Sequence, residues 1–226
     1  MPQTRRIAGG PLLALCCLGA AWLISAVILI VGGFDLDNLL DGVLNVLTKI
    51  GVPFFILTIV IRPLHQLLHT RWTAWLLANR RYVGLSFAAW HLQHWWIIGA
   101  TVVILGWTEF WKDFGDFVIP ATGVLSVITL LALTSSDRAV RFLGQPLWKA
   151  IHTVGIYVIW SWFMHVYFSR LPNQPTYVYI YMGLLIAALP FRWIMTVRER
   201  WLQRSKRVRL AAVDDNASTA DPARAG

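Results

Sequence analysis

The chain has 226 residues, of which 57% are hydrophobic and only 14% are charged, and its mean hydropathy is +0.58. This composition is too apolar for an ordinary soluble domain and predicts a membrane protein. The net charge of +9 is interpreted as membrane topology and contact with anionic lipid headgroups. No groove-reading motif favours nucleic-acid binding.

Six stretches are apolar enough to cross a bilayer, which takes about 20 residues per helix. They are residues 11–31, 43–62, 82–106, 118–134, 148–168 and 176–196. The first follows Arg5 and Arg6 and lacks a clear small-residue cleavage site, so we interpret it as a span and not as a signal peptide. The fold class predicted is an all-α membrane protein. A six-transmembrane-helix bundle occupies residues 1–210, and a disordered cytoplasmic tail follows at 211–226.

The basic residues predict the orientation, because Lys and Arg accumulate on the cytoplasmic side of membrane proteins. With the N-terminus inside, seventeen Lys and Arg residues lie inside and three outside. We therefore expect both termini in the cytoplasm and the chain in a bacterial inner membrane. Between the second and third predicted spans, the apolar residues of 62–82 recur at helical spacing between arginines and tryptophans, which is typical of an amphipathic segment at the interface.

Histidines are expensive inside hydrocarbon and are usually functional there. The chain has six: His65, His69, His91, His94, His152 and His165. The rise per residue of an α-helix gives the depth of each histidine, counted inward from the cytoplasmic end of its span. His94 lies ~20 Å from Arg81 and His165 ~24 Å from Lys149, so both are expected at one level near the outer face. His152 lies only ~5 Å inside the cytoplasmic edge and roughly 140° around the helix from His165, so one cofactor cannot bind both.

Neutral imidazole is a ligand for zinc, copper and haem iron. Because no Cys, Asp or Glu lies at the depth of His94 and His165, the pattern favours a b-type haem between the third and fifth predicted spans. His91 is three residues from His94, and either residue suits the ligand position. His65 and His69 suit a second haem site with His152 or a solvated interface. In a haem-free alternative, the histidines only join neighbouring helices by hydrogen bonds.

Three segments together resemble the ferric-reductase-like transmembrane domain family. They are "RRYVGLSFAAWHLQH", "LLALTSSDRAVRFLGQPLWKAIH" and "IHTVGIYVIWSWFMHVYF". The resemblance implies that His94 and His165 are the axial ligands of haem b near the periplasmic side. It places His152 on the cytoplasmic side, where a second haem or the electron entry point would lie. His91 has no counterpart in the family pattern.

Within that family, the chain is most similar to haem-binding membrane subunits of periplasmic methionine-sulfoxide reductase systems. The resemblance implies an electron-transfer subunit of an oxidoreductase system, with a cytosolic flavin reductase or a quinol as donor and a periplasmic molybdopterin reductase subunit as acceptor. FMN and quinone are the further cofactors that it leaves open. The alternatives are a stand-alone ferric or cupric reductase, whose acceptor is a metal ion, and a haem-free membrane scaffold.

Overall fold

The computed structural model describes residues 9–169 and 175–220, and within them every regular element is helical. This confirms the all-α prediction. The helices are α1 (Gly10–Gly32), α2 (Asn45–Leu68), α3 (Arg71–Ala78), α4 (Arg80–His91), α5 (His94–Leu105), α6 (Trp107–Leu133), α7 (Asp137–Leu143), α8 (Gln145–Ser169) and α9 (Thr176–Ala220). A π-helical segment, Asn38–Leu44, leads directly into α2.

Four helical stretches of the described chain are long and apolar enough to cross a membrane, so the protein is a multi-pass membrane protein. They are Gly10–Gly32, Asn38–Leu68, Trp107–Leu133 and Thr176–Ser205, and they match the first, second, fourth and sixth predicted spans. The fifth predicted span is α8, which is 25 residues long but is more polar than these four.

The third predicted span, residues 82–106, is not one continuous helix. It divides into α4 and α5, each of 12 residues, at Leu92 and Gln93. The Trp95 N–H donates to the Leu92 carbonyl, three residues back, at 3.2 Å, which tightens the turn. Gln93 is buried and holds this turn through its side-chain oxygen, which accepts from Trp96 Nε1 at 2.7 Å.

Two helix boundaries also differ from the prediction. Helix α6 begins at Trp107 and not near residue 118. Its first turns are supported by aromatic rings four residues apart, since Trp107 packs on Trp111 and Phe110 packs on Phe114. Helix α9 continues to Ala220, so residues 211–220, which we predicted to be disordered, are helical. Their alanine-rich sequence contains no proline and continues an established helix. Residues 221–226 of the predicted tail lie outside the described residues.

Helix α2 packs against both α4 and α9, and α1 packs against α4. The interior has two clusters of buried apolar side chains. One contains Phe55, Phe87 and Phe163, and the other is built around Leu39, Trp90 and other side chains from α1 to α5. Residues of α4 belong to both clusters. The turn between α4 and α5, with its two histidines, therefore lies where the clusters meet.

Candidate functional site

The tight turn between α4 and α5 brings the imidazole rings of His91 and His94 face to face. Their centroids are 5.4 Å apart and their planes are 12° from parallel. Side chains three residues apart are offset by about 60° around an α-helix but eclipse each other in a 3₁₀-like turn. The spacing makes the two histidines neighbours, and the tight turn aligns their rings so that they stack.

His91 is the more deeply enclosed of the two and is only 5% exposed. Its ring packs against Phe87 at 4.4 Å and against Phe163 of α8 at 5.4 Å, measured between ring centroids. The remaining side is closed by Gly51 of α2, where an added Cβ would collide with the imidazole. Helix α2 can approach His91 this closely only because residue 51 has no side chain.

The hydrogen bonding of His91 determines which ring nitrogen carries the proton. Nδ1 lies 3.2 Å from the Phe87 carbonyl oxygen, which can only accept, so Nδ1 is the protonated nitrogen. Nε2 then carries a lone pair and no hydrogen. It is buried and has no hydrogen-bond partner among the described residues. An imidazole whose other nitrogen donates to a backbone carbonyl is the usual arrangement of a metal-ligating histidine.

The same reasoning applies to His94, although its ring is less enclosed. His94 Nε2 lies 3.2 Å from Thr48 Oγ1. The single hydroxyl hydrogen of Thr48 is donated to the Leu44 carbonyl at 2.9 Å, so Thr48 accepts from His94 Nε2–H. This leaves His94 Nδ1 without a hydrogen, and it too is buried with no hydrogen-bond partner in the described part of the chain.

His165 lies elsewhere in the bundle. It is two residues beyond Phe163 on α8, which places the two side chains roughly 200° apart around the helix. His165 is exposed and packs on Trp162 at 5.8 Å between ring centroids. It lines an open groove of about 610 Å³ between α6 and α8, together with Pro120 and Val124. Among the described residues it makes no ring contact or hydrogen bond with His94, so the pairing of His94 with His165 stays a prediction.

His152 lies near the other end of α8 and is half-buried. Its ring packs against that of Trp148 at a tilt of 34°, with 4.4 Å between the centroids, and Nε2 lies 3.2 Å from Thr134 Oγ1. Thr134 follows the last residue of α6, so this contact joins α6 to α8. The contact with Trp148 lies within α8, so the bond to Thr134 is the one that fastens two helices together.

His65 and His69 lie at the C-terminal end of α2, with their rings 5.8 Å apart. His65 Nδ1 lies 2.9 Å from Thr73 Oγ1 of α3, and His69 has a φ of 48° where α2 ends. These contacts shape the turn into α3. Neither histidine contacts His152 in the described structure.

The donor types suit haem iron, but His91 and His94 cannot together be the two ligands of one haem. Two axial imidazoles must face each other across a porphyrin through their ring nitrogens, whereas His91 and His94 meet through their ring faces. No group of three or more His, Cys, Asp or Glu side chains able to hold a metal ion occurs within residues 9–169 and 175–220. His91 Nε2 is therefore the best single candidate for an iron ligand, and His94 Nδ1 is the next.

The sequence alone did not identify three residues that shape this site: Thr48, Gly51 and Phe87. Thr48 of α2 contacts His94 of α5, and Gly51 of α2 contacts His91 of α4. Both are small residues in an apolar run, and small residues often mark a close helix contact in membranes. These small residues were the signal in the sequence from which the contact could have been predicted.

Comparison with protein-family models, curated proteins and solved structures finds no match to this chain.

Proposed function

We propose that this protein is a haem b electron carrier of the bacterial inner membrane that passes electrons from the cytoplasmic side to an acceptor outside. The observation that carries the proposal is the state of His91: Nδ1 is engaged by a carbonyl, and Nε2 is buried, without a hydrogen and without a partner among the described residues. Haem, when bound, supplies one-electron chemistry, and the protein supplies its ligand and surroundings.

The surroundings of His91 suit such a ligand. The ring is fixed by Phe87, Phe163 and Gly51, so its orientation does not depend on a bound group. The apolar environment excludes water, and burial and nearby hydrogen bonds are the means by which a protein tunes a haem potential. His91 is thus the ligand we favour on the α4–α5 side, where the family pattern favours His94.

A six-span arrangement follows if α4 with α5, and α8, also cross the membrane in addition to the four apolar helices. Basic residues support cytoplasmic termini, because they gather at one end of the bundle. Arg62 of α2 pairs with Glu199 of α9 at 2.9 Å, and Arg81 of α4 pairs with Asp137 of α7 at 3.0 Å. This end is the cytoplasmic one by the positive-inside rule.

The family resemblance supports a specific version of this function, similar to MsrQ, the membrane subunit of the periplasmic methionine-sulfoxide reductase system. In that version the donor is a cytosolic flavin reductase or a quinol, and the acceptor is a periplasmic molybdopterin enzyme. A stand-alone ferric or cupric reductase shares the same haem chemistry and differs only in its acceptor.

A haem-free scaffold is the second candidate, and a specific observation favours it. His94 and His152 each bond to a threonine on another helix, at 3.2 Å in both cases, as expected of histidines that only hold helices together. His91 does not fit this role, since its one hydrogen bond within the described part of the chain is to a carbonyl of its own helix.

One experiment decides between the haem electron carrier and the haem-free scaffold. It is the dithionite-reduced minus oxidised absorbance spectrum of the detergent-purified protein, with haem quantified per chain. A b-type band at about one haem per chain is expected if His91 ligates iron. Protein that remains colourless after expression with ample haem supply would reject the electron-carrier function and leave the scaffold.

A further inference from the structure

Three arginines from three helices lie at the basic end of the bundle, two of them within electrostatic reach of the third. Arg80 begins α4, and it lies within electrostatic reach of Arg192 on α9 and of Arg62 on α2. We call Arg62, Arg80 and Arg192 the arginine cluster. Arg80 and Arg192 are half-buried, and Arg80 Nε donates to the Thr58 carbonyl of α2 at 3.2 Å. The cluster is therefore a fixed part of the helix packing.

The charge of the arginine cluster is only partly neutralised by the described residues. Glu199 pairs with Arg62 at 2.9 Å and also accepts from Gln66 at 2.8 Å. No described carboxylate forms an ion pair with Arg80 or Arg192. In addition, Arg192 Nη1 is buried and lacks a hydrogen-bond partner among the described residues.

This arrangement is unfavourable unless an anion completes it. Two half-buried guanidinium groups within electrostatic reach of each other repel, and a buried donor without an acceptor costs free energy. A phosphate group would both offset the repulsion between the two positive charges and accept from the unpaired donor, because guanidinium donors match its oxygens in pairs.

The position of the cluster indicates the source of that phosphate. Beside Arg192, helix α9 exposes the large apolar side chains of Trp193, Ile194 and Val197, and Trp201 is exposed further along the helix. Exposed tryptophans beside basic residues are typical of the membrane–water interface, where lipid headgroups lie. A soluble ligand would have to reach this level through the headgroups themselves.

We propose that Arg80 and Arg192, with Arg62 at the edge, bind the phosphate of an anionic phospholipid of the cytoplasmic leaflet. The lipid phosphate would bridge α2, α4 and α9 and supply the negative charge that the described side chains lack. The site needs no haem, and it stands or falls independently of the electron-carrier function.

The test is lipid binding to the purified full-length chain, measured by native mass spectrometry during titration with phosphatidylglycerol or phosphatidylcholine. We expect tighter binding of phosphatidylglycerol. Arg80→Gln and Arg192→Gln should each weaken it about fivefold, the change that corresponds to one basic residue at an anionic surface. Arg138→Gln is the matched control, because Arg138 is an exposed arginine on α7 outside the cluster.

Arg192→Lys separates a binding defect from a folding defect. It keeps the charge but loses the paired donors, so it should fold like the wild type and bind phosphatidylglycerol more tightly than Arg192→Gln. The proposal is overturned if both glutamine variants bind phosphatidylglycerol as well as Arg138→Gln does. It is also overturned if glycerol 3-phosphate, at the same concentration as phosphatidylglycerol, displaces that lipid. The preferred ligand would then be a soluble phosphate ester.

Discussion

The imidazole of His91 stacks on that of His94, with 5.4 Å between the centroids and 12° between the planes. Stacked in this way, the two rings cannot be the axial ligands of one haem, because their nitrogens do not face each other. They also differ in their hydrogen bonds. His94 is tied to Thr48 of the neighbouring helix α2, whereas His91 bonds only to its own helix and keeps Nε2 available.

Replacement of single histidines tests this difference directly. His91→Ala should abolish the reduced haem band, because it removes the ring whose Nε2 we propose as iron ligand. His94→Ala should retain a haem band, because it removes a ring tied to Thr48. The measurement is haem per chain from the reduced minus oxidised spectrum, with His69→Ala as a surface control. Full haem in His91→Ala, together with none in His94→Ala and His165→Ala, would contradict the ligand we favour and support the pair implied by the family resemblance.

Gly51 provides a prediction about packing. Gly51→Ala places a methyl group where the His91 imidazole lies, so helix α2 or the ring must move. We expect a loss of about 1–3 kcal/mol in the free energy of unfolding, the usual cost of overpacking a core. The measurement is thermal or denaturant unfolding in mild detergent.

Gly99→Ala is the matched control for Gly51→Ala. Gly99 also lies inside a helix, but nothing lies within 4 Å of a Cβ added there. It should leave stability unchanged or raise it by up to about 1 kcal/mol, since alanine favours helix more than glycine does. Equal stability of the two variants would mean that His91 does not press on Gly51.

The sequence predicted the helical architecture and four of the spans, because long apolar runs need no tertiary information to be recognised. It did not predict the break at Leu92 and Gln93. Both residues are compatible with a helix, and the tight turn depends on the partly buried hydrogen bond between Gln93 and Trp96. The orientation of His165 depends in the same way on which face of α8 packs inward, and the apolar sequence of α8 leaves that face undefined.

Thr48→Val tests the acceptor role of Thr48. The change preserves shape but removes the oxygen that accepts from His94 Nε2, which then becomes a buried donor without a partner. We expect a loss of about 1–3 kcal/mol in the free energy of unfolding. Thr101→Val is the control, because the Thr101 hydroxyl bonds only to the Ile97 carbonyl of its own helix. A Thr48→Val variant no less stable than Thr101→Val would show that His94 gains nothing from this contact.

Asp35 lies in the connection between α1 and the π-helical segment, outside the membrane-spanning helices. Its carboxylate accepts from the Asn38 backbone N–H at 2.9 Å and from the Asn38 side-chain amide at 2.8 Å. These two hydrogen bonds hold the pKa of Asp35 below its ordinary value. The folded state therefore binds this proton less readily than the unfolded state does.

The sign of the resulting pH dependence follows from that difference. The stabilisation from Asp35 is complete above the unfolded pKa of about 3.9 and is lost as the pH falls through the lower folded pKa. Asp35→Asn should remove this acid-dependent loss, so its unfolding temperature should fall less than that of the wild type between about pH 5 and pH 2. Asp37→Asn, which keeps both bonds between Asp35 and Asn38, should behave like the wild type. Parallel acid profiles for Asp35→Asn and the wild type would mean that these bonds do not discriminate between the charged and neutral carboxyl group.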